Sequence, residues 1–166
     1  MKDPQKKDDV ILLSSNGKGF YNRNKIEDKK CIIDKWKVVI TYAMSGGNKP
    51  TINGDYQVIS SLQILAPNEV CTETYLVLNT FNSKNEASNM CSYVKTKIFR
   101  FLLLQALSSI HITKDSFQFV PLLDFTSTSD IDWCQSVSDI DRQLYAKYGL
   151  SDEEIAFIEK MIKPME

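Results

Sequence analysis

Histidine is almost missing from this chain, with His111 alone in 166 residues. The four cysteines, Cys31, Cys71, Cys91 and Cys134, are widely scattered and form no C-x-x-C pair. A zinc site needs several nitrogen or sulfur ligands at close spacing, so no metal site is expected, and the thiols read as small buried hydrophobes. No uncharged apolar run reaches the roughly 18 residues that a membrane helix requires, and no secretory leader opens the chain. The expectation is a soluble cytoplasmic protein with reduced cysteines and no membrane partner.

The signatures of several enzymes are missing too. There is no G-x-x-x-x-G-K-[ST] phosphate loop and no glycine-rich cofactor loop after a strand. Neither N-P-P-[YFW] nor D-P-P-[YFW], the box that holds an extruded base for methylation, occurs. A metal-dependent nuclease places an acidic-x-Lys pair on a strand, but Glu73 has no lysine two residues on. Nothing places a nucleophile near His111 for triad chemistry. No catalytic residue, cofactor or metal is therefore assigned.

Net charge is also low, at -1, and the total announces neither nucleic acid nor membrane. Its distribution says more: the chain is net positive through Arg100 and net negative beyond it. A phosphate-binding surface would lie in the first two thirds.

What is present is a chain 43% hydrophobic, long enough for one proper core. Met1 to Asp9 is a polar linker remnant, and residues 10–166 form the domain. Val10 to Leu13 reads as a short strand followed by turn residues, after which Lys18, Phe20, Tyr21, Arg23 and Lys25 interleave cations with aromatics. Trp36 to Tyr42 is a strand by its β-branched and aromatic content. Met44 to Asp55, with Ser45, Gly46, Gly47, Asn48 and Lys49, is a polar loop of the kind that carries function.

Strands are predicted over Gln57–Leu65, over Cys71–Leu78 near the sheet centre, and over Ser116–Phe125, where Pro121 indicates an edge. One long helix starts at a capping box of Ser83 and Glu86 and buries a stripe from Ala87 to Leu102. Lys95, Lys97 and Arg100, off that stripe, read as a solvated basic face. Asp130, Asp132, Asp139 and Asp141 lack an EF-hand's glycine and terminal glutamate and read as loop acids and helix-start charges. Two short helices end the chain: one capped by Ser138 and stopped by Gly149, the other capped by Ser151 with Glu154 and stapled by Leu150 and Ile155. The fold class is α+β: a mixed β-sheet with one long helix packed on it and two short C-terminal helices.

The runs C-T-E-T-Y-L-V-L (Cys71–Leu78), Y-V-K-T-K-I-F-R-F-L (Tyr93–Leu102) and F-V-P-L-L-D-F (Phe119–Phe125) resemble the C-terminal region of type IIG and related single-chain restriction-modification methylases. The ending from Leu144 to Glu166 is similar to the tail of that family, and W-K-V-V-I from Trp36 fits its opening strand. The first 35 residues match poorly, and Ser127–Val137 is longer and more polar than the family's turn. The resemblance implies a target-recognition region, a non-catalytic fragment of a restriction-modification enzyme that selects double-stranded DNA while the methyltransferase or nuclease portion lies upstream. Lys18, Tyr21, Arg23, Asn48 and Lys49 are the candidate DNA-binding residues: Asn and Arg suit base edges, lysines suit phosphates. The alternative is a docking domain, whose acidic C-terminal half binds the methyltransferase or motor portion of the parent enzyme.

Overall fold

A computed structural model describes residues 8–44 and 48–165. Most of the linker segment and Ser45, Gly46 and Gly47 lie outside the described residues.

The chain opens with a hairpin, β1 (Asp9–Ser14) and β2 (Gly17–Asn22), closed at Gly17, whose φ of 98° only glycine adopts easily. A single-turn 3-10 segment (Arg23–Lys25) and an irregular stretch lead to β3 (Trp36–Thr41). After a long loop come β4 (Leu62–Leu65), β5 (Glu69–Cys71) and β6 (Tyr75–Phe81). The helices follow: α1 (Lys84–Lys95), α2 (Lys97–Gln105), α3 (Val137–Tyr148) and α4 (Asp152–Met161). The fold is α+β, with its strands in two three-stranded sheets, β2-β1-β5 and β4-β3-β6. The first is mixed, since β1 runs parallel to β5 and antiparallel to β2, while the second is antiparallel throughout.

β3 is central and buried on both sides, which explains the consecutive apolar residues Val38, Val39 and Ile40. Val38 and Ile40 face the main core beneath the helices. Val39 faces a smaller core with Leu13 and Leu65, where the first sheet packs on the second. An extra residue, Leu78, sits at a bulge where Val38 pairs with Asn79 and Val39 with Val77.

Several expectations are corrected. Cys71–Leu78 is two strands: Tyr75 N donates to the Thr72 carbonyl at 3.0 Å, and this turn sends Cys71 to one sheet and Tyr75 to the other. β6 lies at a sheet edge, and β3 takes the centre. Of Gln57–Leu65 only the last four residues pair, because Val58 has φ 64° and the Gln57 carbonyl accepts from the Ile59 amide at 2.8 Å and from Arg100 at 3.4 Å. Ser116–Phe125 is no strand: a 3-10 turn (Lys114–Phe117) precedes a stretch whose carbonyls accept from side chains. Tyr93 Oη donates to Pro121, Asn89 Nδ2 to Phe125 and Trp133 Nε1 to Asp124, at 3.0, 2.8 and 3.0 Å.

The long helix is broken at Thr96, which has ψ 151° and serves both as C-cap of α1 and N-cap of α2. A break exposes amides and carbonyls that must find partners. Asp141 of α3 accepts from the amides of Lys97 and Ile98, and Thr96 Oγ1 accepts from Phe99. The Arg100 side chain donates to the carbonyls of Thr96 and Lys95 and onward to Gln57 and Lys163. Arg100 is thus 1% exposed, and the solvated basic face is corrected: Lys97 too is largely covered, bonded to Glu159. At the C-terminal end, Ser136 rather than Ser138 caps α3, Gly149 ends it at φ 65°, and Ser151 with Glu154 forms the capping box of α4.

Candidate nucleic-acid interface

The five candidate residues fall in two places. Lys18 and Tyr21 lie on β2 and Arg23 just after it, whereas Asn48 and Lys49 lie in the loop beyond β3. These two groups leave opposite ends of β3, which at strand rise is about 17 Å long. On β2 the alternation of side chains puts Lys18 and Tyr21 on opposite faces of the hairpin. Lys18 Nζ is 2.8 Å from Glu69 Oε1. Burial pushes the Glu69 carboxyl up, yet the bonds from Lys18 and the Ala66 amide hold it below its usual range. Arg23 makes a two-pronged pair with Asp34 at 2.8 and 2.5 Å and also reaches Asn68 Oδ1 at 3.3 Å. The Asp34 bond keeps the guanidinium more firmly protonated and holds the Asp34 carboxyl low. Tyr21 is 42% exposed and Lys49 is exposed, while Asn48 is half-buried with no hydrogen-bond partner for Oδ1 among the described residues.

The structure draws attention instead to the connection between β2 and β3. Asp28 accepts from the amides of Ile32 and Ile33 at 2.9 and 3.0 Å, which keeps its carboxyl below the usual range and curls the loop. Cys31 at φ 51° completes that turn. From beneath, Lys37 of β3, 2% exposed, shares its three N–H donors among the carbonyls of Ile32, Ile33, Lys35 and Ala66 at 3.0, 2.9, 2.6 and 3.3 Å. Burial pushes its ammonium down from the ordinary lysine range, opposed by the field of Glu69 and Asp34.

This anchor fixes a loop rich in cations. Lys29 pairs with Glu27 at 3.0 Å, and Asp28 and Asp34 are already engaged. Lys25, Lys30 and Lys35 make no ion pair among the described residues. A rigid backbone that presents such lysines is suited to phosphates, because little side-chain or loop entropy beyond the lysines themselves is lost on contact. Lys29, Lys30, Lys35 and Lys37 were not singled out from sequence. The adjacent Lys29 and Lys30 were a visible signal, but the role of Lys37 depends on the chain folding back over it.

Two further findings bear on function. Among the described residues, no three of His, Cys, Asp and Glu gather as a metal site would require, and no helix is long and apolar enough to cross a membrane. Compared with family models, with curated proteins and with solved structures, the chain matches none.

Proposed function

We propose that the chain is the DNA target-recognition part of a restriction-modification enzyme, a non-catalytic unit that acts in the cytoplasm beside an upstream methyltransferase or nuclease portion. The observation that carries the reading is the loop between β2 and β3, where Lys37 and Asp28 hold the backbone and Lys25, Lys30 and Lys35 are left for phosphates. Phe20 and Tyr21, 39% and 42% exposed, precede it with faces suited to stacking. The motifs that resemble the restriction-modification family are consistent with a scaffold role. Tyr93 of one motif donates to Pro121 of another, and Arg100 and Asp141 close the helix break within it.

The test is fluorescence anisotropy with a labelled duplex at two salt concentrations. Three neutralised phosphates predict a log-log slope of about -2.7, so affinity falls about fortyfold between about 50 and about 200 mM salt. Replacing Lys25, Lys30 and Lys35 together with alanine flattens that slope. Binding indifferent to salt would refute the proposal.

A further inference from the structure

Beside the main core, α2, α4 and residues 118–121 wall a groove of about 720 Å3. Phe101, Leu102, Phe119, Pro121, Tyr148 and Phe157 are among its apolar lining residues. Phe119 and Phe157 are 53% and 55% exposed, and Tyr148 is 41% exposed. Large apolar side chains gathered around one concavity, rather than scattered singly, are the mark of a surface that another molecule covers.

The charges on this groove are of one sign. Its lining holds Glu153 and Glu154 and no lysine or arginine. Glu154 is held by Ser151, and Glu153 makes no hydrogen bond or ion pair among the described residues. With Asp152 they give three carboxylates in the first turn of α4. The α4 dipole offsets only about half a charge, so the rim stays negative.

We propose that this groove is a docking site for an amphipathic helix of a partner protein, with an apolar stripe for the aromatic floor and lysine or arginine along the flank that meets Glu153. Apolar anchors at i, i+4 and i+7 on one helix face are the shape that a groove of this kind accepts. A basic flank is selected because a second acidic surface would be repelled by the same rim. The groove is lined by no residue of the lysine-bearing loop, and the inference does not depend on DNA binding.

The experiment titrates the full chain into two labelled synthetic helical peptides. Both carry leucine at i, i+4 and i+7, one with lysine on the flanks and the other with glutamate. Anisotropy is expected to show the lysine peptide binding at least tenfold more tightly. Phe119→Ala and Phe157→Ala each weaken it at least fivefold, with circular dichroism, melting and duplex affinity unchanged. Glu153→Lys leaves two of the three carboxylates and narrows the preference between peptides at least fivefold, and being an exposed surface change it tests the charge argument even if an aromatic variant folds poorly. Equal binding of both peptides, or wild-type affinity in both phenylalanine variants, would overturn the proposal. So would sedimentation showing that the wild-type chain dimerises while Phe157→Ala stays monomeric, since the occupant would then be a second copy.

Discussion

Replacing Arg100 with methionine tests whether a buried cation closes the break between α1 and α2. The guanidinium donates to Thr96 O at 3.2 Å, Gln57 O at 3.4 Å, Lys163 O at 2.6 Å and Lys95 O at 2.9 Å. It therefore joins the helix break, the loop before β4 and the C-terminal segment. Hydrogen bonds to a charged group contribute about 1.5–3 kcal/mol each, and four independent ones would total about 6–12 kcal/mol. Burial of the charge offsets several kcal/mol of this, and it pushes the Arg100 pKa down to about 10. Methionine recovers the desolvation cost and much of the packing but removes the side-chain donor from four carbonyls, of which Gln57 and Thr96 each keep a backbone donor. The expected net loss is about 2–4 kcal/mol, or roughly 5–15 °C in melting temperature for a domain of this size. Urea unfolding with Arg142→Met as control provides the assay. Among the described residues the Arg142 side chain is bonded only to Asp139, on the surface, and its loss is expected to cost about 0.5 kcal/mol or less. An Arg100→Met chain as stable as the control would refute the reasoning.

Asp141 makes stability depend on pH. Burial pushes its pKa up to about 6 from 3.8, against the pull of the Lys97 and Ile98 amides. The folded chain then holds the proton more tightly than the unfolded one, so the contribution is present in full below about pH 4. It is lost as pH rises to about 6, by up to about 3 kcal/mol, and a urea series across that range should show stability falling and then levelling. Gly149→Ala is expected to cost about 1 kcal/mol by thermal melting, wholly through its φ of 65°, since an added Cβ meets nothing within 4 Å. Lys37→Met is expected to weaken duplex binding in the anisotropy assay several-fold, because the loop carrying Lys25, Lys30 and Lys35 loses its four-carbonyl anchor. Unchanged affinity in a folded variant would show that the anchor has no part in binding.

Elements whose signals are local were legible in the sequence. Trp36–Thr41 is a strand through its β-branched content, Ser83 caps α1, and Ser151, Glu154 and Gly149 mark helix ends at the positions observed. The α+β class followed from the same signals. Partition between the two sheets was not legible, because C-T-E-T-Y-L-V-L has strand character on both sides of its turn and only pairing separates Cys71 from Tyr75. Lys18 and Arg23 read as cations open to a ligand, while the fold brings Glu69 and Asp34 against them. The turned loop under Lys25 and Lys30 was hidden for the converse reason, since the ammonium that organises it belongs to a strand of apolar neighbours.

Caps, turns and runs of β-branched residues act within a few positions of the chain, so the sequence by itself determined the strand from Trp36 and the helix starts at Ser83 and Ser151, and the stop at Gly149. The break at Thr96 arose otherwise, since Y-V-K-T-K-I-F-R-F-L holds Thr96 and Arg100 but not the carboxylate that caps the second helix. It is sustained by Asp141, over forty residues away, and by the distant carbonyls that Arg100 reaches. Tertiary structure decided the buried cations, the two sheets and the groove beside α4, because each depends on a polar group or an apolar surface meeting a partner remote along the chain.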